Sequence, residues 1–178
     1  MYLADRWQDY ELLDAGDGEK IERWGTVILQ RPDPQAIWPK GQWPKPDARY
    51  QRSSSGGGFW QINRQYPATW KITYPGLVQP LQFIIEPTGF KHTGLFPEQA
   101  ANWDFCTDLI MKARQKGREV RILNLFAYTG AASVACSAAG ATEVVHVDAS
   151  KGMNARAREN VLASGLGDRV VRCLADDV

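Results

Sequence analysis

The sequence predicts an α/β protein, a parallel sheet covered by helices, preceded by a small β-rich subdomain. Three observations carry that expectation. The stretch Arg121 to Asp148, RILNLFAYTGAASVACSAAGATEVVHVD, alternates an apolar run, a turn, an Ala-rich segment and a second apolar run. A third apolar run, Arg169 to Leu174, follows a further helical pattern, and strands alternating with helices specify parallel βαβ units. The first half is rich in Pro, Trp, Gly and Asp instead, with short alternating runs between turn residues. The expected division is therefore a β-rich subdomain over residues 1–90 and an α/β portion over residues 91–178.

Within the central stretch, Ile122 to Ala127 is short and sharply bounded, as a buried parallel strand is. It stops at Tyr128-Thr129-Gly130. Ala131 to Ala139 has the helix propensity and small side chains that let a helix lie close on a sheet, and Gly140 stands where that helix would end. Val144 to Val147 then leads to Asp148, about twenty residues beyond the turn, where a carboxylate reaches the hydroxyls of a ribose. A dinucleotide calls for three glycines as G-x-G-x-x-G beside its pyrophosphate, and this turn has only Gly130. A cofactor with ribose and adenine but no phosphate is favoured, and S-adenosylmethionine fits. The competing reading is a βαβ unit in which Asp148 merely caps the next helix.

The 178 residues, 44% apolar and 23% charged, suit one full domain or two small ones. A net charge of +1 makes any nucleic-acid contact a matter of a local patch. No apolar run approaches the roughly 20 residues that span a bilayer, and Met1 to Asp5 does not read as a signal peptide, so a cytoplasmic protein with no membrane partner is expected. Cys106, Cys136 and Cys173 lack metal-site spacing and are expected to be small buried hydrophobes, with no metal bound.

Taken in order, Tyr10 to Asp14 reads as a strand entering the Asp17-Gly18 turn, with Lys20 to Trp24 returning and Thr26 to Gln30 following. Pro39, Pro44 and Pro46 forbid regular helix from Trp38 to Asp47, and Ser53 to Gly58 is a flexible loop. Phe59 to Ile62 is a short strand. Trp70 to Tyr74 and Leu81 to Ile85 form a hairpin about Pro75-Gly76. All seven tryptophans lie at or before Trp103, as an aromatic core would require, with a base-stacking platform as the functional alternative. The loop Glu86 to Gln99 holds His92, read as a surface residue, and leads to a helix from Pro97 to about Lys116 with Cys106, Leu109, Ile110 and Ala113 on its apolar stripe. Ser150 caps a helix carrying Met153, Ala157 and Val161, and the last strand ends at Ala175-Asp176-Asp177, where Asp176 either meets an adenine amino group or is simply solvated.

LNLFAYTGAASVACSAAGA, VDASKGMNARAREN, GFKHTGLFPEQAANWD and the opening DYELLDAGDGEKIERWG together resemble the bacterial class I S-adenosylmethionine-dependent methyltransferases of the 23S ribosomal RNA cytosine-C5 group. The resemblance covers nearly the whole chain. It implies a Rossmann-like methyltransferase sheet behind the β-rich subdomain, S-adenosylmethionine as cofactor and ribosomal RNA as substrate. By the matching positions, Asn124, Phe126, Ala127, Tyr128, Thr129 and Gly130 surround the methionine end. Asp148 lies at the ribose and Asp176 near the adenine, with Ala149 a further cofactor-binding position. Where relatives read Asp-Gln-Arg before the first helix, this chain has Glu98-Gln99-Ala100, so Gln99 carries over and the arginine contact does not.

In that family a fourth strand lies against the first, and an Asp-Pro-Pro segment and a cysteine follow it. These would lie beyond Val178, so the chain is expected to hold cofactor-binding residues without those of the chemistry, and no catalytic residue is assigned. In the family's order of three, two, one, four, the strand Ile122 to Ala127 is central and buried; without the fourth strand its other edge is expected to be unpaired and available to a second copy as a homodimer. A non-catalytic RNA-binding or interaction module and a nicotinamide-dependent oxidoreductase are the alternatives.

Overall fold

The computed structural model describes residues 2–54 and 56–177. Ser55 of the expected Ser53–Gly58 loop and the terminal Val178 lie outside them. The chain forms two compact units, one of Trp7–Ile72 with Ile85–Gly94 and one of Met1–Arg6, Thr73–Ile84 and Leu95–Val178. This division differs from the single boundary expected at residue 90, because the chain passes between units several times.

In the first unit, β1 (Tyr10–Gly16), β2 (Glu19–Trp24), β3 (Val27–Pro32), β4 (Ala48–Arg52) and β5 (Gly58–Ile62) form one sheet in that order. Asp17 and Gly18 both adopt positive φ, 49° and 74°, the twist a two-residue hairpin requires. All pairings are antiparallel except β3 with β4, where Leu29 lies opposite Ala48 in parallel register. The proline-rich segment between them is the crossover. β4 was not expected, because Arg49, Gln51 and Arg52 leave only Ala48 and Tyr50 to signal its buried face. Ile21, Trp24, Leu29, Ala48 and Tyr50 fill the core, and the Tyr10 ring meets Trp24 edge-on at 4.7 Å.

A buried ion pair lies among them. Glu22 accepts from Arg31 Nε at 2.5 Å, from Arg31 Nη2 at 2.9 Å and from the Tyr10 hydroxyl at 2.9 Å. Burial pushes the Glu22 carboxyl upward, but the Arg31 hydrogen bonds and charge outweigh it and hold the pKa below its ordinary value.

The strands β6 (Trp70–Tyr74) and β7 (Leu81–Ile85) pair with one another. In the second unit a 3₁₀ turn (Pro97–Gln99) leads into α1 (Ala100–Gln115), and β8 (Arg121–Asn124), α2 (Ala131–Ala138), β9 (Glu143–Val147), α3 (Lys151–Ala163) and β10 (Val171–Leu174) complete the alternation. The sheet is parallel, ordered β10-β9-β8. Ile110 of α1, Cys136 of α2, Ala139 just after it and Val144 of β9 form its core, with Ile122 and Val171 packed against them.

Three expectations are corrected here. The buried stripe of α1 is Ala100, Trp103, Asp104, Thr107 and Ile110, while Leu109 is exposed. Asp104 is tolerated inside because both its oxygens accept from Arg6 at 2.8 Å and Oδ2 also accepts from the Tyr74 hydroxyl at 2.7 Å; burial, then the Asp104 bond, pushes the Tyr74 pKa up to about 12. Secondly, the order β10-β9-β8, with β8 at an edge among the described residues, is the one expected, but β8 stops at Asn124 rather than Ala127 because residues 125–127 turn out of the sheet. Leu123 is 63% exposed and Phe126 75% exposed, so the run is not buried throughout. Thirdly, Cys136 is buried, and burial followed by the neighbouring Cys106 pushes its thiol up to about 12, but Cys106 and Cys173 are only half-buried. No helix among the described residues is long and apolar enough to cross a membrane.

Glu22→Ala would strand the Arg31 guanidinium, at a cost of about 3–5 kcal/mol. Chemical denaturation followed by tryptophan fluorescence is expected to show that loss. Because the folded pKa of Glu22 is depressed, its contribution is complete above the ordinary carboxylate pKa of about 4.3 and is lost as pH falls through the lower folded value. In the Glu22→Gln variant this acid-dependent loss should be smaller than in the wild type.

Candidate functional site

The site is built on residues 125–130, between β8 and α2. Phe126, Tyr128 and Gly130, three alternate residues, take positive φ of 51°, 51° and 83°. Two of them carry side chains, and such a conformation persists in a bulky residue only where its surroundings impose it. Here they do. The Ala127 N–H donates to the Val147 carbonyl at 3.0 Å, and the Tyr128 N–H donates to Asp148 Oδ2 at 2.8 Å. The Thr129 carbonyl accepts from Asn160 Nδ2 of α3 at 2.9 Å. Asn160 Oδ1 in turn accepts from the Ile84 N–H at 2.9 Å, so one buried amide joins β7, α3 and the turn.

Gly130 is required by space as well as by φ. A Cβ there would lie 2.8 Å from Ala157 Cβ and 3.3 Å from His146 Cε1. The turn thus sits directly on α3 and β9. It delivers the start of α2 to a cavity of about 540 Å³, within the ~300–1,000 Å³ of small-molecule sites.

Gln99, Asn124, Phe126, Ala127, Tyr128 and Thr129 all line this cavity. Asp148 stands behind the turn, its Oδ2 held by Tyr128 N–H and its Oδ1 by Ser150 N–H at 2.9 Å, so each oxygen retains a free lone-pair direction. Ser150 itself caps α3 through Met153 N–H at 3.3 Å, so the capping role is not left to Asp148. Gly130 is buried behind the cavity, Ala149 is exposed beyond β9, and neither lines it. Asp176 lies past β10, outside the cavity, with its Oδ1 accepting from Asp177 N–H at 3.0 Å.

Other residues had no clear sequence signal. Phe96, Asn102, Trp103 and Cys106 line the cavity from the turn and helix before β8, and the Phe96 and Tyr128 rings lie 5.3 Å apart. Asn102 Nδ2 donates to Gln99 Oε1 at 2.8 Å, which fixes that amide. His146, hidden in an apolar strand, is fully buried opposite Asn124 in the β8–β9 register. Asn124 Nδ2 donates to Ser133 Oγ at 2.9 Å, and Ser133 Oγ lies 3.1 Å from His146 Nδ1. Burial holds the imidazole below its ordinary pKa and therefore neutral at pH 7. With its oxygen receiving the Asn124 amide, Ser133 directs its own proton to Nδ1, which leaves the Asn124 carbonyl oxygen as the polar atom free for the cavity.

Residues 48–176 match the S-adenosylmethionine-dependent methyltransferase family. The chain belongs to that family. The SAM-dependent methyltransferase from Agrobacterium tumefaciens has the same fold at a TM-score of 0.86 and 35% identity, over 96% of this chain and 53% of that one. SMU.776 complexed with SAH superposes at a TM-score of 0.70 and 19% identity, over 98% of this chain and 47% of that one. The ribosomal RNA large subunit methyltransferase K/L of Shewanella baltica strain OS155 is 39% identical over 85 residues, 48% of this chain and 11% of the relative. The chain thus spans about half of the structural relatives' length and a smaller part of the ribosomal RNA enzyme. The class I methyltransferase α/β fold and S-adenosylmethionine as the family's cofactor agree with the sequence expectation.

Gly130→Ala is expected to destabilise this family member by about 1–3 kcal/mol, through the left-handed φ and the contact with Ala157. The double variant Gly130→Ala/Ala157→Gly should lose less than the sum of the two single variants, because the colliding methyl is gone. Thermal melts of the four proteins read that coupling.

Proposed function

We propose that the cavity holds S-adenosylmethionine and that the protein to which this sequence belongs transfers a methyl group to an RNA base, ribosomal RNA being the favoured target. The observation that carries the reading is the turn at residues 126–130, which brings the Asn124 side-chain oxygen and the N-terminus of α2 to one cavity and holds Asp148 directly behind the Tyr128 backbone that lines it. The donor set fits the cofactor. The first N–H groups of α2 have no intrahelical acceptor, and Ala131 and Ala132 line the cavity, which suits a carboxylate. The Asn124 oxygen suits an ammonium group, and Asp148 has acceptor capacity for a ribose diol. Phe96, Leu125, Phe126 and Trp103 supply apolar surface for an adenine. S-adenosylmethionine when bound supplies an electrophilic methyl on a sulfonium. The part of these residues is to bind and orient, and orientation is the main source of rate in such a transfer.

Ribosomal RNA as acceptor draws on the 39% identity to the Shewanella enzyme. Cytosine C5 as the methylated atom and a cytoplasmic location rest on the sequence resemblance and composition. A homodimer would form along the outer edge of β8, which pairs with β9 alone among the described residues. Light scattering on the purified chain tests it, and a monomer at all concentrations would remove it.

Asp148→Ala is expected to lose tenfold or more in affinity for S-adenosylhomocysteine, the equivalent of about 1.5–3 kcal/mol for bonds to a charged acceptor. Calorimetric titration with S-adenosylhomocysteine and with NAD decides, and binding of NAD alone would overturn the reading. Ser133→Ala frees the Asn124 amide to rotate, so S-adenosylhomocysteine should bind about three- to tenfold more weakly. Affinity for 5′-methylthioadenosine, which lacks the amino-acid end, should stay within twofold.

A further inference from the structure

The β-rich unit holds a second cleft, of about 250 Å³, lined by Tyr50, Arg52, Ser53, Gly57, Phe90 and Lys91. The loop that forms one wall is firmly held. Glu86 N–H donates to the Thr93 carbonyl at 3.0 Å and Thr88 N–H to the His92 carbonyl at 2.8 Å. Side chains of two adjacent strands fasten it from outside, the Tyr50 hydroxyl donating to the Gly89 carbonyl at 2.7 Å and Trp60 Nε1 to the Thr88 carbonyl at 2.8 Å. Tyr50 and Trp60 face each other in the β4–β5 register and stack edge-on at 5.4 Å, so the two anchors brace one another.

What the loop presents is unusual for a solvent-facing turn. Phe90 is 71% exposed, and Lys91 is held at φ 64°, a left-handed conformation unfavourable for any residue with a Cβ. Burial and the charges of Arg52 and Arg31 push the Lys91 ammonium below its ordinary pKa, with Asp33 acting the other way. The Arg31 charge is taken by Glu22. Among the described residues neither Arg52 nor Lys91 has a carboxylate within ion-pair distance, so two cations border one cleft without a direct ion-pair partner. An anion between them would relieve that repulsion. A phosphodiester is such an anion, and a flat, exposed aromatic ring beside it is the complement of a base.

We propose that this cleft binds one nucleotide of single-stranded RNA, its phosphate at Arg52 and Lys91 and its base on the Phe90 ring. Single-stranded RNA is the partner because a base must leave its duplex stack to lie on a side chain. The proposal rests on the reading of an RNA substrate given above, and it places on the β-rich unit a contact separate from the cofactor cavity. It also explains how a chain of net charge +1 engages a polyanion, by a local pair of cations rather than by its overall field.

Fluorescence anisotropy with a labelled single-stranded oligoribonucleotide, at several salt concentrations, tests the proposal on the full chain. Phe90→Ala should weaken binding about tenfold and leave the salt dependence unchanged. Arg52→Ala/Lys91→Ala should weaken binding by a similar factor and lower the slope of log affinity against log salt by roughly one. Calorimetric titration with S-adenosylhomocysteine, run on the same proteins, should give wild-type affinity, which separates loss of this cleft from failure of the fold or of the cofactor reading. RNA binding unaltered by either variant, or no RNA binding by the wild type, overturns the proposal. So does a loss that appears for a polyglutamate peptide and not for RNA, which would assign the cleft to an acidic protein partner.

Discussion

The α/β unit depends on how closely the turn ending at Gly130 approaches α3 and β9. No Cβ fits at that point, because Ala157 stands 2.8 Å from where it would be. Small residues on both sides make the approach possible, and buried polar groups then lock it. Asn160 takes the Thr129 carbonyl, Asp148 takes the Tyr128 N–H, and the Val147 carbonyl takes the Ala127 N–H. A left-handed backbone at Phe126 and Tyr128 is sustained by these bonds, since each would leave a buried or half-buried backbone group unpaired if broken. The cavity wall is thereby stiff before any ligand arrives, which lowers the ordering cost of binding.

The same logic explains the polar groups within the sheet. A histidine in an apolar strand is costly unless its nitrogens are used, and His146 uses one of them, Nδ1, which meets Ser133, which in turn meets Asn124 at the cavity. A buried chain of three side chains therefore sets which atom of one amide faces outward. The β-rich unit uses charge differently. Its buried carboxylate, Glu22, is matched by Arg31 and Tyr10, whereas Arg52 and Lys91 at its surface cleft have no ion-pair partner among the described residues. Ion pairing in the core and cations without an ion-pair partner at a cleft is the distribution expected when the first serves folding and the second serves a partner.

Much of this was legible from local pattern. The strand, turn and helix order, the Asp17-Gly18 hairpin, the Ser150 cap and the stop at Gly140 follow from residue types at short range, and the structure has each of them. Misreadings arose where side-chain identity concealed the backbone's role. The arginines of β4 masked a buried strand in which only Ala48 and Tyr50 face inward. In α1, Leu109 fits an apolar stripe by spacing, yet Asp104 is the buried residue, because Arg6 and Tyr74, far away in sequence, satisfy its carboxylate.

The sequence by itself determined the succession of elements and the acid at the end of β9, because propensity, capping and hydrophobic period act over a few residues. It also determined the family, through motifs in the right order. Only the tertiary structure decided which of the candidate residues share a cavity. Gln99, Asn124 and Tyr128 are brought together, while Asp176 remains outside at the end of β10. That selection depends on strand order and on the packing of α1 and α2 against the sheet. These are set by contacts between residues distant in the chain, and no local pattern encodes them.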